Sequence, residues 1–151
     1  MIQTRPLFEV RFSVPEIVDV GDTPAGRRRV ATVAGGTFEG ERLGGEVLGS
    51  AGGDWMLARP DGVLVLDVRL QLRTREGELI HMAYRGLRHG PADVMARLAA
   101  GEAVDPASYY FRIVPTFETG APRLQWLHRI IAIGTGRREA GGPIYQIHEV
   151  L

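Results

Sequence analysis

The sequence predicts a mainly β chain that closes into one antiparallel barrel. Three observations carry that expectation. Alternation of apolar and polar residues with a period of two dominates the chain. Successive alternating segments are joined by hairpin-length connections. Helical spacing appears once, so the crossover helices of a parallel sheet are missing.

Leu7 to Val14 alternates cleanly, with Phe8, Val10, Phe12 and Val14 on one face and Glu9 and Arg11 on the other. Arg28 to Thr37 reads as a second strand, ended by glycines. Gly35 to Gly53 is glycine-rich, which suits short strands, bulges and tight turns. Asp54 to Ala58 is a brief strand. Arg59-Pro60-Asp61-Gly62 then has the residues of a tight turn. Val63 to Thr74 is the best strand in the chain, and Arg75-Glu76-Gly77 turns it into Glu78 to Arg85. A short helix follows, with Pro91 at its start, Val94 and Leu98 on one face, and Gly101 closing its end. Ser108 to Thr119, Trp126 to Gly134 and Ile144 to Leu151 complete the strands. Roughly eight to ten strands and one helix make a meander that either closes or folds into two packed sheets. Closure removes exposed edges, so a barrel is expected over residues 1–151 as a single domain.

Composition narrows the function. A chain of 151 residues holds one domain with a real core. Formal net charge is zero, which argues against a nucleic-acid binder that must release counterions from phosphates. All 18 basic residues are arginine, a bias that a GC-rich genome accounts for, and Schiff-base catalysis through lysine is excluded. There is no cysteine, so disulfides, thiolate nucleophiles and cysteine zinc sites are excluded too. No apolar run reaches membrane-spanning length, and Met1 to Pro6 lacks the pattern of a signal peptide. A cytoplasmic protein without a membrane partner is the expectation.

Several segments, in order, carry a resemblance. Phe38-Glu39-Gly40-Glu41-Arg42-Leu43-Gly44-Gly45-Glu46-Val47 leads into Gly52-Gly53-Asp54-Trp55. Leu66-Asp67-Val68-Arg69 and Gly77-Glu78-Leu79-Ile80 follow the Arg59–Gly62 turn. Tyr109 to Thr119 and then Trp126-Leu127 come later. In this order the chain resembles the small barrel family known as domain of unknown function 3237, also called UPF0311. The resemblance covers nearly the whole chain, apart from Val14 to Gly26. It implies a lipocalin- or streptavidin-like barrel and, from the surroundings of some members, a small metabolite as partner.

Candidate site residues follow from alternation. Asp67, Arg69 and Gln71 share one face of the best strand, opposite Leu66, Val68, Leu70 and Leu72. Tyr110, Arg112, Thr116 and Glu118 share one face of a later strand. Read from the residues alone, these polar faces are solvated outer walls. The resemblance instead implies inward positions for Asp67, Arg69 and Arg112, which fall in its motifs. Pointing inward, the two arginines would hold an oxyanion and Asp67 would orient one of them. Asp54 is the candidate base, with a turn residue bonded to backbone amides as the alternative. Trp55 is a candidate ligand wall or a core residue, and Tyr84 and Tyr110 are candidate proton donors or packing residues. His128, paired in pattern with Trp126, is the fourth ligand-binding candidate. His81, His89, His128 and His148 show no metal-ligand spacing.

Gly134-Thr135-Gly136 lacks the helix and second strand of a dinucleotide site, and the Gly35–Gly53 region lacks the lysine of a phosphate loop. Arg27-Arg28-Arg29 reads as a solvated charge run. The leading expectation is a cofactor-free isomerase, cyclase or lyase acting on a small organic molecule by acid–base chemistry. A non-catalytic small-molecule carrier or sensor and an interaction protein with a filled barrel are the alternatives. Apolar residues on both faces of Tyr109 to Phe117 raise a homodimer as an expectation.

Overall fold

A computed structural model describes all 151 residues. Eleven strands form one sheet in which every pairing is antiparallel. They are β1 (Thr4–Ser13), β2 (Ile17–Thr23), β3 (Gly26–Thr32), β4 (Gly35–Glu39), β5 (Gly44–Val47), β6 (Gly53–Ala58), β7 (Leu64–Thr74), β8 (Leu79–His89), β9 (Tyr110–Glu118), β10 (Ile131–Glu139) and β11 (Gly142–Val150). Eight of them make a closed ring in the order β7, β5, β4, β1, β11, β10, β9, β8, shut by the pairing of β7 with β8. The ring is a barrel, as the alternation predicted, but its order is not a plain meander. β1 lies between β4 and β11, so the two ends of the chain are zipped together, from Thr4 opposite Val150 to Arg11 opposite Ile144.

The remaining strands form a flap. One edge of β7 is shared, with β5 pairing near Leu72–Thr74 and β6 pairing near Leu64–Arg69. Beyond β6 come β3 and then β2, whose outer edge is free. The single strand expected from Arg28 to Thr37 is therefore two, because the chain leaves the flap at Val33-Ala34 and enters the ring at Gly35. Gly36 permits the change of direction. Its φ is +146°, and an added Cβ would lie 1.9 Å from the Arg11 carbonyl oxygen. The segment from Val14 to Gly26, unremarkable in sequence, holds β2.

Alternation translates directly into burial. Leu66, Val68, Leu70 and Leu72 of β7 are buried and pack with Ile80, Met82, Phe111, Ile113, Phe8, Val10 and Ile147 in one core. Both tight turns form as expected: the Gly62 amide donates to the Arg59 carbonyl, and the Gly77 amide to the Thr74 carbonyl. Helix α1 (Ala92–Ala99) buries Val94 and Leu98, and Gly101 follows it with φ +80°.

The strand expected from Trp126 is a correction. Pro122–Arg129 is 3-10 helical, and β10 begins only at Ile131. Pro122 starts it, and the buried Leu124 and Leu127 are three residues apart, the repeat of a 3-10 turn and not of a strand. This segment packs beside β9 near the barrel end where β11 finishes. There Glu149 accepts from Arg5 (2.8 Å) and Arg42 (2.5 Å), and the Arg42 guanidinium lies 4.0 Å over Trp126. The hydrogen bond from Arg5, then that from Arg42, holds the Glu149 carboxyl below its ordinary range, although burial opposes them. Its contribution is present above the ordinary glutamate range and is lost as the pH falls through the lowered folded-state value. Glu149→Gln is thus expected to lower the melting temperature at neutral pH, with the gap closing in acid; a gap independent of pH would contradict this.

Candidate functional site at the barrel mouth

Asp54 is the residue around which the other end of the barrel is organised. It sits on β6 opposite Val68, on the face turned to the barrel interior. The β6–β7 ladder opens between the pairs Asp54–Val68 and Leu57–Val65 without a change of register. Asp54 Oδ1 accepts the backbone amide of Asp67 at 3.1 Å within that opening. The backbone-amide alternative thus describes one of its oxygens, though the amide belongs to a neighbouring strand and not to a local turn.

Inward neighbours on the adjacent strands complete the cluster. Tyr84 lies on the same face, opposite Val68 on β8. Its ring meets that of Tyr145 on β11 edge to face at 5.4 Å. Phe12 and Phe111 flank Tyr145 at 5.8 and 5.2 Å. Arg88 lies further along the Tyr84 face of β8, with its guanidinium 5.6 Å from the centre of the Phe111 ring. Arg29 of β3 and Arg138 of β10 are close enough to Arg88 to repel it. Asp54, Arg29, Arg88 and Arg138 are half-buried, so the cluster reaches solvent. Arg138 also lines a cavity of about 570 Å³ bounded by Leu98, Glu102, Val104, Glu139 and Ala140.

Room for the aromatic rings comes from glycine. Gly136 pairs with Tyr145, and an added Cβ there would lie 2.8 Å from both Phe111 and Tyr145 ring atoms. Gly134 leaves the same kind of space for Ile113 and Ile147. The Gly134-Thr135-Gly136 pattern is thus a packing device.

Electrostatics separate the titrating groups. Burial pushes the Asp54 carboxyl up to about 6; the Asp67 amide and the Arg88 charge pull it down, while the Asp67 charge adds to the rise. Burial also pushes the Tyr84 and Tyr145 hydroxyls up, so both remain protonated donors at neutral pH. Arg88 is lowered, first by burial and then by repulsion from Arg138. The mouth therefore offers a carboxyl poised near neutrality, two neutral hydroxyls and three cations.

Of the eight candidates read from sequence, Asp54 and Tyr84 meet here, and the other six lie elsewhere. Asp67 and Arg69 lie on the outer wall of β7, where Asp67 pairs with Arg85 (3.4 Å) and Arg69 (3.9 Å). Arg112 is on the outer wall of β9, stacked 5.0 Å over the exposed Tyr110. Trp55 is exposed on the outer face of β6, with Arg69 5.7 Å above it. On β7 and β9 the physical reason is the same: the opposite faces carry the large apolar residues, and those fill the barrel. On β6 the inward face is that of Asp54 and Met56, which leaves Trp55 outside. His128 lies on the 3-10 segment, and its Nε2 accepts the Thr119 amide at 2.9 Å. It cannot share a strand face with Trp126 because neither is on a strand. No three histidine or carboxylate side chains come together as a metal site would need.

Tyr145, Arg88, Arg29 and Arg138 were missed in the sequence. Arg88 was legible, since it continues the Ile80–Met82–Tyr84 face past Gly86. Arg29 was hidden within a run whose other members do behave as a solvated surface: Arg27 pairs with Asp19 at 2.5 Å, and Arg28 bonds the Trp55 carbonyl at 3.0 Å.

Comparison with known proteins places this arrangement. A family profile described as "Protein of unknown function (DUF3237)" matches residues 2–150. A UPF0311 protein from Rhodopseudomonas palustris is 32% identical over 150 residues, covering 99% of this chain and 97% of that one. Its crystal structure superposes with a TM-score of 0.96 over 100% and 99% of the two chains. A structure from Acinetobacter baumannii, described as a β-barrel-like protein, is 36% identical, with a TM-score of 0.87 over 100% and 97%. A protein from Penicillium herquei described as an enzyme is 17% identical and has the same fold, with a TM-score of 0.75 over 99% and 95%.

Proposed function

The chain belongs to the DUF3237 family, and we propose that its barrel mouth binds a small organic molecule and moves a proton on it, without a cofactor, as an isomerase, cyclase or lyase does. The observation that carries this reading is the grouping of half-buried Asp54 and Arg88 with the buried Tyr84 and Tyr145 on the interior face of the barrel. A carboxyl near 6 is divided between its two forms close to neutral pH, which suits a group that both takes and returns a proton. Ionised Asp54 takes a proton from carbon beside a carbonyl. The charge that develops on the carbonyl oxygen is met by Arg88 and by the neutral Tyr84 and Tyr145 hydroxyls. Protonated Asp54 then returns the proton to a different atom. The fold offers general support, since a barrel of the same kind is described as an enzyme in Penicillium herquei.

Solvent exchange tests the reading before any substrate is known. Enolisable keto acids and ketones incubated in D2O with the protein are expected to take up deuterium, at a rate that rises as Asp54 ionises. Asp54→Asn should remove the exchange and leave binding in place. Equal exchange in the two proteins would overturn the assignment of Asp54, and no exchange in either would favour a carrier.

A further inference from the structure

We infer that Arg29 and Arg88, with Arg138 beside them, form a carboxylate-binding subsite, so that the molecule bound at the mouth is an organic carboxylate. The inference rests on the mouth being the ligand site proposed above and specifies what that ligand carries.

Twelve of the eighteen arginines sit in ion pairs with Asp or Glu. Arg29, Arg88 and Arg138 do not, although they are the arginines gathered at the mouth. The Nε atoms of Arg29 and Arg88 are buried and have no hydrogen-bond partner, and they are the only such side-chain nitrogens or oxygens in the protein. Buried polar groups are normally satisfied, and a charged one left open is costly. Two open donors, on two cations near enough to repel each other, mark a place for an acceptor. Glu102 and Glu139 line the cavity beside Arg138, whereas Asp54 is the one carboxyl that acts on Arg88, so Arg29 and Arg88 stay in excess even when it is ionised.

The geometry favours a flat anion. Nε and the adjacent Nη of a guanidinium present two parallel N–H groups in one plane, spaced for the two oxygens of a carboxylate. Arg88 lies against the Phe111 ring, and Phe111 packs on Tyr145, which packs on Phe12. The charged end of the ligand thus has guanidinium forks to meet, above a floor of buried aromatic rings that keeps water from them. In the chemistry proposed above, the carboxylate is the handle that sets the reacting carbon beside Asp54.

Benzoate is the probe, with benzamide as its neutral counterpart and inorganic phosphate as the competing anion. Calorimetric titration of the full chain is expected to show benzoate binding at least about tenfold tighter than benzamide, with phosphate failing to displace it. Arg29→Met and Arg88→Met should each weaken benzoate by about tenfold or more. Without ligand, Arg88→Met should melt no lower than the wild type, since methionine keeps the contact with Phe111 and removes a half-buried cation whose Nε has no hydrogen-bond partner. That readout separates a binding arginine from a structural one. Equal affinity for benzoate and benzamide, no benzoate binding, tighter binding of phosphate, or unchanged affinity in both arginine variants would each overturn the subsite. Benzoate binding without deuterium exchange in any compound would sink the acid–base reading alone. Exchange that survives in both arginine variants with unchanged affinity would sink the subsite alone.

Discussion

In thermal melts across a pH series, Asp54→Asn is expected to unfold above the wild type at pH 8 and to lose that advantage as the pH falls toward about 4. Burial holds the folded-state carboxyl at about 6, against an ordinary value of 3.8. Between those values the folded protein keeps a proton that the unfolded chain has released. Wild-type stability therefore falls as the pH rises through this window, and the full cost persists above about 6. Allowing for solvent at a half-buried group, the cost is on the order of 2 kcal/mol. Asparagine has the same shape, carries no charge, and can still accept the Asp67 amide through Oδ1, so it removes the cost and keeps the contact. The same change should lower proton transfer by about 10²–10⁴-fold. A gain in stability together with a loss of chemistry is the mark of a group kept for its reaction. A variant that melts lower than the wild type at every pH would instead make Asp54 a structural residue.

Legibility of the chain divides along the same line as its physics. Burial on β7 follows from alternation alone, because four large aliphatic side chains on one face leave little choice of which side is dry. The same rule puts Asp67 and Arg69 outside. The inward expectation for them came from the resemblance, and the burial of the opposite face overrides it. Asp54 is different: it stands before an exposed tryptophan on a short strand, and only the pairing of β6 with β7 shows which way it faces. A one-residue slip would reverse that face. The meeting of Tyr84 with Tyr145, and of Arg29 with Arg88, joins residues more than fifty positions apart through closure of the ring and folding of the flap. No local pattern records that. Trp126 and His128 misled for a local reason, since apolar residues three apart after a proline mark a 3-10 turn and were read as a strand.

Gly136→Val is expected to lower stability by about 3 kcal/mol and to weaken both proton transfer and benzoate binding. Backbone strain plays no part, since Gly136 lies outside the left-handed region. The cost is one of volume. The Cβ alone would come within 2.8 Å of the Cγ and Cδ1 of Phe111 and the Cε1 of Tyr145, and valine adds two methyl groups beyond it. Both rings belong to the interior stack that runs through Phe12 and Tyr84, so neither can move without displacing a neighbour. Displacing Tyr145 removes a hydroxyl from the mouth, which ties the fold defect to the functional one. Gly120→Ala is the matched control, as its added Cβ meets nothing within 4 Å. Shortening the opposing ring should relieve the clash, so Phe111→Leu combined with Gly136→Val is expected to cost less than the sum of the two single changes. Additive losses in that pair would mean that Gly136 is kept for some reason other than room for the rings.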